Sequence, residues 1–199
     1  MIELPTDLPA DLAPLSWLLG VWEGTGVIDY TAGDHHFEGE FAHRVSFSRD
    51  TGDALSYSAS AWLLDGDDRT PLVSEMGFWR LVRPAAATDP GPGLLPGIGT
   101  APVRTVDDVE ALRTAEGGFE LEASIVHADG VSELYLGQIR GPRIDLATDA
   151  VVRSAGAKPY AAATRMYGLV DGHLLWAWDI AALGAELASH ASARLAKAE

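Results

Sequence analysis

The chain has 199 residues, 47% of them hydrophobic and 22% charged, which suits one soluble domain with its own core and is too short for two comfortable ones. A net charge of -15 with only 14 lysines and arginines argues against a phosphate-backbone partner such as nucleic acid. No apolar run approaches the roughly 20 residues that span a bilayer.

The start, Met1-Ile2-Glu3-Leu4-Pro5, lacks the basic residues and apolar run of a leader, so the expected location is the cytoplasm with no membrane partner. With no cysteine in the chain, any metal falls to His, carboxylate, Tyr or Met, and the six histidines become the first candidates.

Residues 1–14 carry Pro5, Pro9 and Pro14 and read as an exposed lead-in to a short helix over Leu15–Leu19. Next comes a glycine-punctuated strand, Gly20-Val21-Trp22-Glu23-Gly24-Thr25-Gly26, whose glycines allow close backbone approach while Trp22 and Ile28 supply buried area. After a turn at Ala32-Gly33-Asp34, the sequence predicts strands over His36–Ser48, Ala54–Leu64 and Pro71–Arg83, with an acidic hairpin turn at Asp65–Asp68.

From Pro84 to Thr105, five prolines and four glycines cannot sustain a ladder, and the stretch reads as a long, partly disordered surface loop inserted between strands. Five further strands follow, over Gly118–Val126, Gly130–Ile139, Arg143–Val152, Lys158–Val170 and His173–Ala182. The last stretch, Leu183–Lys197, repeats Leu183, Leu187, His190, Ala191, Arg194 and Leu195 at three and four residues, the period of a helix lying against the sheet. The pattern reads as an all-β antiparallel meander of about ten strands, a sandwich or a barrel, with a short N-terminal helix and a C-terminal helical segment, in a single domain over 1–199.

Among the histidines, His35, His36, His127 and His173 sit in or beside turns, where a solvated imidazole needs no explanation. His43 lies in a strand with polar neighbours and stays open. His190 shares a helical face with Leu183 and Leu187, and spacing alone favours a partly buried, hydrogen-bonded histidine there.

The signature Gly20-x-Trp22-x-Gly24-x-Gly26 resembles that of the nitrobindin family, fatty-acid-binding-protein-like barrels of the calycin type that bind haem b and are described as peroxynitrite isomerases. Two further blocks carry the resemblance. One is Pro71-Leu72-Val73-Ser74-Glu75-Met76-Gly77-Phe78-Trp79-Arg80; the other runs from Thr164-Arg165-Met166-Tyr167 through Asp171-Gly172-His173 to Ala182–His190.

The resemblance implies that His190 is the proximal ligand of one haem b per chain and that Lys158 pairs with a haem propionate. It also places Val73 on the distal face, where several members have a histidine, so this pocket is more apolar than usual. Glu75 and Arg80 read as braces of the sheet. The implied activity is binding of NO or peroxynitrite at ferric iron and isomerisation of peroxynitrite to nitrate, with no partner beyond these small molecules except a homodimer of the chain. Two other readings stay open: a carrier of a fatty acid or other apolar ligand, whose carboxylate Arg165 and Tyr167 would fix, and a barrel that binds nothing.

Overall fold

A computed structural model describes residues 8–49 and 52–198. A 3₁₀ helix at Ala10–Leu18 leads into ten strands: β1 Gly20–Ala32, β2 His35–Ser48, β3 Ala54–Asp65, β4 Asp68–Leu81, β5 Phe119–His127, β6 Val131–Arg140, β7 Arg143–Arg153, β8 Tyr160–Val170, β9 His173–Ala182 and β10 Ala188–Lys197. Every strand pairs antiparallel with its sequence neighbours, and β10 closes on β1 from Trp22↔Lys197 to Ile28↔Ala191. Closure leaves no free sheet edge. Among the described residues no helix is long and apolar enough to cross a membrane.

The seam between β1 and β10 explains the glycine signature. A side chain at Gly24 would collide with the Arg194 carbonyl oxygen, and one at Gly26 with that of Ser192. Gly20 adopts a φ of 117°, open to glycine and strained for other residues, where the chain turns out of the helix. Trp22, inside the barrel, donates its indole N–H to the Leu18 carbonyl at 2.7 Å and so ties the first strand to the helix.

That helix starts earlier than the sequence suggests. Leu12, Leu15 and Leu18 are fully buried, so the exposed lead-in expected over 1–14 is corrected from Ala10 onward, while 1–7 lie outside the described residues. Each of these leucines contributes about 2 kcal/mol by leaving water. Above them Phe47, Tyr57, Trp79 and Tyr167 fill the closed end, with ring centroids 5.1–6.4 Å apart, several of them edge to face.

The long connection between β4 and β5 carries no strand and one short helix, α1 (Val106–Glu110), capped by Thr105 and Asp108. Arg83 holds it to the barrel by ion pairs with Asp53 and Asp89, both at 2.8 Å, and Arg104 lies 2.8 Å from Asp11 of the 3₁₀ helix.

The expected C-terminal helix is instead β10. From Ala191 onward its residues alternate as strands do, with Ala193 and Leu195 buried and Ser192 and Arg194 outside. The register slips between Ser189 and Ala191, so His190 is an extra residue in a β-bulge. One inserted residue breaks a period of two into spacings of three and four. The open edges of β1 and β9 then decide the matter, because ladder bonds to both outweigh a weak local helical preference.

Candidate functional site

A cavity of about 270 Å³ opens at the end of the barrel opposite the 3₁₀ helix. Ladder irregularities cluster around it. His190 is the bulged residue of β10, Leu72 is extra in the β3–β4 pairing, and Ala161 is extra between β8 and β9. Each re-aims side chains that strict alternation would send elsewhere, as bulges at barrel rims do. His190, Lys158 and Val73, three residues singled out by the sequence, all line this cavity. Gly20, Trp22, Gly24 and Gly26 do not reach it; they build the seam and the closed end.

The His190 ring meets Tyr30 edge-on at 5.0 Å and Trp178 at 5.5 Å between centroids. Tyr30 is fixed in turn, donating to the Ala182 carbonyl at 2.9 Å and accepting from the Ala182 N–H at 3.2 Å. Packing therefore sets the imidazole's orientation, and its buried Nδ1 has no hydrogen-bond partner among the described residues. Burial pushes the His190 pKa down to about 4, so the ring is neutral at pH 7 and keeps a lone pair for a metal.

Phe41, Ile180, Trp176 and Trp178 give the cavity apolar walls, with Val73 on β4 and Lys158 just before β8. Among the described residues no group of three or more His, Asp or Glu side chains is gathered to hold a bare ion. A metal at His190 would thus have to bring its other ligands with it, as the iron of a porphyrin does. A neutral imidazole, flat apolar walls and one lysine fit that group.

His127 departs from expectation. The sequence reads it as a solvated imidazole beside a turn, yet its side chain is 5% exposed, lines the cavity, and bonds Glu133 through Nε2 at 2.6 Å. It also stacks on Trp178, with centroids 6.1 Å apart and planes 25° from parallel. The signal was present in phase: Leu121, Ala123 and Ile125 all point inward on β5, and His127 continues the alternation. The Asp129-Gly130 turn masked it.

Beneath the cavity Arg165 is buried against Glu75 at 2.6 Å, Glu133 at 3.2 Å and the Tyr135 hydroxyl at 2.9 Å. Its guanidinium lies over Trp178, 4.4 Å from the ring centroid. Tyr135 and Tyr160 donate to Glu133 at 2.6 and 2.5 Å. Glu75 thus braces the sheet from inside, as the counter-ion of Arg165. Arg80, by contrast, pairs with Glu122 across the outer face.

The residues expected to fix a fatty-acid carboxylate are occupied: two glutamates already neutralise Arg165, and Tyr167 is packed at the closed end. His43 is buried, beside Trp176 and outside the cavity lining, its Nδ1 3.1 Å from the Ser60 carbonyl oxygen. His35 and His36 are exposed, and His173 is partly so.

The model of a family described as THAP4-like, heme-binding β-barrel domain matches residues 11–197. A protein of Leifsonia xyli subsp. xyli named peroxynitrite isomerase is 67% identical over 199 residues, covering all of both chains. Another of that name from Clavibacter michiganensis subsp. michiganensis is 58% identical over 195 residues, 98% of each. The fold also superposes on the crystal structure of Rv2717c from M. tuberculosis, with a TM-score of 0.67 and 23% identity over 99% of this chain and 100% of that one.

Proposed function

Since the chain belongs to the THAP4-like, heme-binding β-barrel family, we propose that it carries one haem b on His190 and isomerises peroxynitrite to nitrate. The observation that carries this reading is a neutral, packing-oriented imidazole with an unpartnered buried nitrogen, presented on a bulge to an apolar cavity. Ferric haem, when bound, supplies a Lewis-acidic iron at which a small anion or NO can bind.

The chain's own residues do the rest. His190 holds the metal. Trp176, Trp178 and Val73 would exclude water from the face on which a small anion binds and hold it close to the metal site. Lys158, in the cavity lining, would supply a cation to pair with a haem propionate. An acidic chain of net charge -15 acting in the cytoplasm, alone or as a homodimer, belongs to the same proposal.

The test is stopped-flow decay of peroxynitrite with product analysis. The hemin-loaded protein should accelerate the decay and raise the yield of nitrate over nitrite, and His190→Ala should return both to the level of free hemin. Equal rates and yields in the two proteins would refute the assignment.

A further inference from the structure

His127 faces the same cavity as His190 from across the barrel. In the closed order of ten strands, β5 is as far from β10 as the ring allows, and both histidine rings reach the one Trp178 side chain, at 6.1 and 5.5 Å. A solvated turn histidine would have neither this burial nor two partners. Nε2 is fully committed to Glu133, which is itself held by Arg165, Tyr135 and Tyr160. Among the described residues no hydrogen bond uses Nδ1.

The surroundings decide which charge this ring carries. Burial lowers its pKa, but the bond to Glu133 and the charges of Glu75 and Glu133 outweigh burial and the opposing Arg165, so the net shift is upward. With Nε2–H given to Glu133, protonation puts a second N–H on Nδ1, a charge-assisted donor. Lys158 is the other cation of the lining. The one carboxylate in that lining, Asp129, accepts from the Val131 N–H at 3.3 Å.

We infer that His127 is a specificity residue that donates a hydrogen bond from Nδ1 to a small anion held in the cavity opposite His190. A chain of charge -15 repels an anionic substrate at long range, and a buried donor backed by Glu133 and Arg165 offsets that repulsion at the site without an exposed basic patch. The apolar side chain of Val73 on the neighbouring strand leaves this role to β5. The inference rests on the haem reading above.

The experiment compares azide, an anion, with carbon monoxide, a neutral ligand, on the hemin-loaded protein by Soret titration, using ferric protein for azide and reduced protein for carbon monoxide. His127→Gln should weaken azide binding about tenfold or more, the value of a hydrogen bond to a charged group, and leave carbon monoxide affinity within about twofold. If that variant fails to fold or to take up hemin, Glu133→Gln keeps the ring in place and should weaken azide in the same sense. Unchanged azide affinity, or equal loss of both ligands, overturns the inference. A wild-type protein that takes up no hemin overturns the haem reading instead, and the two failures are thereby distinct.

Discussion

The two ends of this barrel are built from the same ten strands and behave as opposites. At the closed end the ladders run without a slip and Trp22, Phe47, Tyr57, Trp79 and Tyr167 fill the interior. At the open end four strand pairs slip by one residue, and the interior holds a cavity lined by His190, Trp176 and Trp178. Regular alternation gives a core, and local departures from it give a site. Natural barrels concentrate such departures where function needs them, because each costs ladder bonds that the intact end must supply.

The contrast can be broken most severely at the closed end. Trp79→Ala removes a fully buried ring from the aromatic cluster and should cost about 3–5 kcal/mol in urea unfolding, while any hemin bound by the folded fraction keeps the wild-type spectrum. A loss under 1 kcal/mol, or an altered spectrum, would show that the two ends are not independent.

Next in size is an acid effect on the ligand-free protein. Burial holds His43 at a pKa of about 4, against an ordinary value of 6.5. A histidine depressed in the folded state leaves stability intact above its unfolded value and withdraws it as pH falls towards its folded one. Through this ring stability should therefore drop by about 3 kcal/mol between pH 6.5 and 4, as read from urea midpoints, and His43→Gln should remove that share of the slope. His190, depressed in the same direction, adds to it, while His127, raised, works against it. A flat profile in the wild type would contradict the burial of the first two rings.

Smallest is Lys158→Ala at the open end. An exposed ion pair is worth up to about 1 kcal/mol, so hemin affinity should fall no more than about fivefold, and the difference should shrink in high salt. A loss that persists at high salt would mean that the lysine packs rather than pairs.

Much of this architecture is legible from the chain alone, and the gaps have physical causes. Period-two alternation and turn residues place nine of the strands, because each depends on local pattern and short hairpins. β10 escapes because its bulge at His190 turns alternation into apparent helical spacing, and because its pairing with β1 links the two ends of the chain. His190, Lys158 and Val73, the residues singled out by the resemblance, line one cavity.

The charged network below them is invisible to any local pattern. Arg165 meets Glu75 across 90 residues and Glu133 across 32, and only the closed barrel brings them into contact. His127 belongs to that network and was hidden by the turn that follows it.

Hemin titration of the wild type and of His190→Ala, followed in the Soret region together with quenching of Trp176 and Trp178 fluorescence, tests the central claim most directly. A saturable one-to-one spectrum with quenched tryptophans in the wild type, and loss of the ferric-imidazole spectrum in the folded variant, is the predicted result. Identical spectra from the two proteins would place the iron elsewhere and contradict the account.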